Sequence, residues 1–131
     1  MQRPISFVAC ALLACGACAS PRIPNDAIVH DVYFTLRDGG PQTCAKLIDA
    51  CRDELAGLPG VLQLTAGPRE PELQRDRNVV DFDVALRVVF VDIEAHDAYL
   101  VAPAHVALVE RFMANFEKVR VFDSRAAAWR D

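Results

Sequence analysis

Two segments of this chain alternate apolar and polar side chains with a period of two, and they set the limits on its fold. Ile28 to Leu36 places Ile28, His30, Val32, Phe34 and Leu36 on one face and Val29, Asp31, Tyr33 and Thr35 on the other. Val79 to Val91 places Phe82, Val84, Leu86, Val88 and Phe90 on one face; Asp83 and Arg87 lie on the other, beside Ala85, Val89 and Val91. Alternation of β-branched and aromatic residues over such lengths reads as strand. Both strands have one largely apolar face, so a second layer must cover it.

The covering layer is legible between and after them. Asp38-Gly-Gly-Pro41 ends the first strand. Cys44, Leu47, Ile48, Cys51 and Leu55 then form one helical stripe, which Gly57 and Pro59 end. Val61 to Ala66 is a short strand, and Gly67 to Asn78 is a loop. Asp92 is the expected N-cap of a helix through Ile93 and Leu100. Pro103 suits the first turn of another, with His105, Val109, Phe112 and Phe116 on its stripe. Lys118 to Phe122 is the expected last strand, and residues 125–131 a frayed tail. The order β-α-β-β-α-β predicts an α+β, ferredoxin-like sheet with helices on one face. The opposite face, carrying Tyr33, Ala85, Val89 and Val91, is too apolar for water, so a homodimer through the open sheet face is expected.

At 131 residues there is room for one core. The N-terminus stands apart from it. Residues 1–19 carry one charge, Arg3, then an apolar run from Ile5 to Ala14 that is too short to span a bilayer as a helix. This is the pattern of a secretory signal peptide, and it predicts an exported, periplasmic or envelope-anchored protein. Two cleavage sites fit. Ala17-Cys18-Ala19 allows cleavage before Ser20, whereas Leu12-Leu13-Ala14-Cys15 resembles a lipobox that would leave Cys15 lipidated as the only membrane anchor. Residues 20–27, with Pro21 and Pro24, then form a linker to a domain spanning 28–124.

Net charge is −4, and without Arg3 the remaining 13 basic and 18 acidic residues give −5. Scattered, mildly acidic charge provides no footprint for nucleic acid. Only Cys44 and Cys51 lie outside the leader. Seven residues apart on one helix, they are separated by about 10 Å along the axis, too far for a disulfide.

Candidate chemistry rests on His30, Tyr99 and His105. His30 lies on the apolar face of its strand and His105 on the apolar stripe of its helix, so both point into the space between the layers. A neutral imidazole is a usable base near pH 7, and a phenol can donate to a developing oxyanion. The plain alternative is that each is a hydrogen-bonded core residue. His96, in a His-Asp pair, reads as solvated. Asp31 and Asp83 point to the dimer face. Two inward histidines without a converging carboxylate make a weak ligand set, so neither a metal nor a cofactor is expected.

Four stretches together resemble the stress-responsive alpha/beta barrel, or Dabb, family over about residues 28–123. They are Val29-His30, Leu58-Pro-Gly-Val61, Asp81-Phe-Asp-Val-Ala-Leu-Arg-Val-Val-Phe90, and Tyr99-Leu-Val-Ala-Pro-Ala-His-Val106 with Val121-Phe-Asp123. The resemblance implies a dimeric α+β barrel. The family ranges from stress-induced plant proteins to the olivetolic acid cyclase branch. From that branch, it implies His105 as catalytic base of an aldol cyclisation, Tyr99 as a substrate-orienting group and His30 as a pocket wall. Cys51 stands where the cyclase branch has a pocket tyrosine, and Ala102 where it has a histidine. Three readings result: a barrel binding a small apolar or aromatic molecule with a stress-related role, a cyclase, isomerase or lyase using His105, and a structural envelope dimer.

Overall fold

The computed structural model describes residues 23–127. The elements run β1 (Ile28–Leu36), α1 (Pro41–Leu55), β2 (Val61–Pro68), β3 (Val84–Phe90), α2 (Ile93–Leu100), α3 (Pro103–Phe112), a 3-10 turn at Met113–Asn115, and β4 (Phe116–Arg125). The sheet has four strands in the order β2-β3-β1-β4, with each neighbouring pair antiparallel. The helices cover one face, giving the expected α+β ferredoxin-like fold. No helix among the described residues is long and apolar enough to cross a membrane.

Local chemistry explains the boundaries. Pro41 opens α1 where the missing N–H costs no helical bond. The Asp92 carboxylate accepts the Ala95 N–H at 2.8 Å, so the expected cap is present. Gly60 turns the chain into β2 with φ of +79°, and a Cβ there would collide with that of Ala95. Its carbonyl accepts the Val91 N–H at 2.9 Å, which joins the end of β3 to this turn.

The core is formed where the α1 stripe meets the inner sheet face. Leu47, Cys51, Val84, Val88 and Phe90 are wholly buried, with Val32, Phe34, Leu55, Leu86 and Tyr99 around them. Phe90 is the largest of the wholly buried side chains. At about 1.5–3 kcal/mol for each large apolar side chain withdrawn from water, this layer contact is the main stabilising element.

Four expectations are corrected. β3 begins at Val84, not Val79; Val79 is 62% exposed. Asp83 turns away from the dimer face, and its Oδ2 accepts the Leu36 N–H at 2.7 Å, so it ties the β1–α1 corner. Phe116 leaves the α3 stripe and starts β4, although its ring still packs on Phe34 at 5.1 Å. β4 also continues to Arg125 opposite Ile28, which takes Arg125 out of the expected tail. The leader, including Cys15, lies outside the described residues.

The outer sheet face carries an aromatic cluster. Tyr33 meets Phe82 at 5.0 Å and Phe122 at 5.9 Å, both edge-on. Phe122 is 56% exposed. Beside the cluster, Arg87 donates twice to Asp31, at 2.6 and 2.8 Å. Of the residues expected on this face, Tyr33 joins the cluster, whereas Val89 is already 1% exposed in the single chain; the apolar face is present in part, with an ion pair set into it.

Candidate functional site

Between the inner sheet face and the helices is a cleft of about 310 Å³. Val32, Phe34 and Leu86 form its floor, Cys51, Leu55, Leu108 and Val109 its walls, and the exposed Val119 and Val121 its open side. His30, Tyr99 and His105 all line it. The structure thus brings together the three residues singled out in the sequence. Alternation along β1 turns His30 inward, and the i to i+6 step from Tyr99 to His105 crosses the α2–α3 junction at Pro103.

Tyr99 sits between the two histidines. Its ring centroid is 4.6 Å from that of His105 and 6.1 Å from that of His30. Phe90 packs beneath Tyr99 at 4.8 Å. The His105 Nδ1 lies 3.1 Å from the Leu100 carbonyl oxygen. A carbonyl only accepts, so Nδ1 carries the proton and Nε2 keeps its lone pair. Burial lowers the His105 pKa, with a smaller contribution from His30; the Leu100 bond opposes these. The imidazole is therefore neutral at pH 7. Burial also drives the Tyr99 pKa upward, so its phenol keeps its proton and can donate. Cys51 is pushed up to about 12 by burial and by Glu54, which makes it an inert apolar wall.

Beside the cleft is an arrangement that the sequence reading missed. His96 is not solvated but only 8% exposed. Its ring stands 5.3 Å from His30 and 5.4 Å from Phe90. β4 pairs with β1 so that Asp123 lies opposite His30, and the His30 Nδ1 is 2.6 Å from Asp123 Oδ1. The same oxygen is 3.7 Å from His96 Nε2. A carboxylate therefore does converge on two histidines, contrary to expectation. These three residues could hold a metal ion. The i to i+3 spacing of His96 and Tyr99 was the available signal that His96 faces the core.

An antiparallel four-stranded sheet, helices on one face and an apolar cleft between the layers define the class of ferredoxin-like α+β barrel proteins. The stress responsive A/B barrel domain profile, Dabb, matches residues 28–126, and the chain belongs to that family. A Dabb family protein from Mesorhizobium loti is 24% identical, with a TM-score of 0.63 over 79% of this chain and 100% of that one. A dimeric ferredoxin-like protein from Thermobifida fusca is 17% identical, with a TM-score of 0.67 over 80% of this chain and 95% of that one. A hydroxynitrile lyase from Passiflora edulis is 14% identical, with a TM-score of 0.67 over 82% of this chain and 100% of that one. These three likenesses carry the fold alone. No curated protein matches the chain.

Proposed function

We propose that this chain is an exported, dimeric Dabb barrel that binds a small apolar or aromatic molecule, in a stress-related role at the cell envelope. The cleft carries this reading: an apolar hollow of about 310 Å³ whose polar groups include His30, Tyr99 and His105. A small, mostly apolar pocket with a few placed polar groups is what recognition of such a molecule requires. The bare aromatic patch around Phe122 supports a homodimer through the open sheet face. The leader supports export, with Cys15 as lipid anchor, and the mass of a diacylglyceryl group on the mature protein tests that anchor.

The test of binding uses the neutral fluorophore Nile red and the full chain. Saturable enhancement is expected, and Leu108→Trp, which fills the cleft, abolishes it. Equal enhancement in the wild type and the variant would place the dye elsewhere and defeat the reading.

A second reading is favoured by one observation, the lone pair on His105 Nε2 of a neutral imidazole beside a protonated phenol. That pair suits proton abstraction next to a carbonyl, with His105 as base and Tyr99 donating to the enolate oxygen. His30 then supports the pocket wall. Once a turned-over substrate is found, His105→Ala should lower kcat by about 10²-fold or more; unchanged turnover would remove this role.

A further inference from the structure

Asp97 and Asp123 fix the protons of the His30 and His96 pair. His30 Nδ1 donates to Asp123 Oδ1 at 2.6 Å, since a carboxylate offers no proton. His96 Nδ1 donates to Asp97 Oδ1 at 3.0 Å. The other ring nitrogen of His96, Nε2, lies on the side of Asp123. This atom is buried and has no hydrogen-bond partner. It faces Asp123 Oδ1 at 3.7 Å, too far for a hydrogen bond. A buried polar atom without a partner is costly to the fold. A cation placed between the two would satisfy both.

We propose that His30, His96 and Asp123 form a binding site for a divalent transition metal of zinc type. Their ligand atoms lie within 4.8 Å of one another. In a tetrahedral site with bonds of about 2.0–2.2 Å, ligand atoms stand roughly 3.3 Å apart. The gap between His30 and Asp123 must open slightly and that between His96 and Asp123 must close. Asp123 is half-exposed and sits at the sheet edge, so rotation of its carboxylate can supply both changes. On binding, His30 moves its proton to Nε2, and the metal takes the proton's former place between Nδ1 and Asp123. Asp97 remains on the far nitrogen of His96, the outer carboxylate that orients a metal-bound imidazole. Two imidazoles and a carboxylate select zinc-like ions over calcium or magnesium, which prefer all-oxygen sites. The fourth position opens past Asp123 to solvent and takes water. The edge-on contact of His30 with Tyr99 sets this site against the cleft wall.

The leader thiols would bind zinc themselves. The test therefore uses the full chain carrying Cys10→Ser, Cys15→Ser and Cys18→Ser, freed of metal by chelation and titrated with zinc chloride by calorimetry. One zinc per chain is expected. His96→Phe keeps the packing on Phe90 and removes a ligand, and it should weaken binding at least about tenfold. Asp123→Asn keeps an acceptor for His30 and should weaken it likewise, with circular dichroism matching the parent. X-ray absorption of the zinc-loaded protein should show nitrogen and oxygen ligands with two imidazoles. Absence of zinc binding, sulfur in the coordination sphere, or unchanged affinity in both variants would overturn the proposal. Nile red binding reports the cleft independently of all three outcomes.

Discussion

Replacing Phe122 by alanine should take the protein apart into monomers. In the single chain Phe122 is 56% exposed on the outer sheet face. A phenylalanine buries about 150–250 Å², so the dimer would withdraw roughly 110 Å² of ring from water in each subunit. At about 25 cal/mol per Å² this is worth roughly 2.8 kcal/mol. A two-fold interface uses the same patch twice, which gives between about 5 and 6 kcal/mol per dimer. The alanine methyl group retains part of this, so the net loss is about 4 kcal/mol. At 1.4 kcal/mol per factor of ten, the dimer Kd should rise roughly a thousandfold. Sedimentation velocity over a dilution series measures it. Near-ultraviolet circular dichroism checks that Tyr33, Phe82 and the core keep their packing. A dimer of unchanged affinity in Phe122→Ala would refute the sheet-face interface, as would a wild-type chain that stays monomeric at high concentration.

Three further outcomes follow from the same geometry. Gly60→Ala should cost about 2–4 kcal/mol in denaturant unfolding, because φ is positive there and the added methyl meets Ala95. Phe90→Ala should cost about 3–5 kcal/mol and abolish Nile red binding, since its ring underlies Tyr99, His30 and His96. His105 has a folded pKa below its unfolded value of 6.5, so the folded state binds fewer protons and His105 contributes stability above that value. That contribution is lost as the pH falls through the lowered pKa, and urea unfolding of His105→Gln should show a flatter decline between about pH 7 and pH 5 than the wild type.

The fold was written in local patterns. Alternation gave β1 its two faces, the Cys44 to Leu55 stripe gave α1, and Asp92 and Pro103 marked two helix starts. These are short-range signals, and the structure keeps them. Val79 to Asp83 misled because the alternation starts there before pairing begins at Val84; the demand of the Leu36 N–H for Asp83 decides the boundary. That is a contact over 47 residues, invisible to periodicity. The candidate cleft was legible in part. His30, Tyr99 and His105 could be aimed inward from their own elements. Asp123 could not, since its place beside His30 depends on the register between β1 and β4. His96 could have been placed by its i to i+3 relation to Tyr99. Its polar neighbours Glu94 and Asp97 hid that face.

What occupies the cleft is tested most directly by native mass spectrometry of the protein recovered from its own cells. A small apolar or aromatic molecule is expected, bound in proportion to the chain and lost from Leu108→Trp prepared in the same way. Protein that carries no such molecule, or a Leu108→Trp variant that carries it equally, would contradict the account.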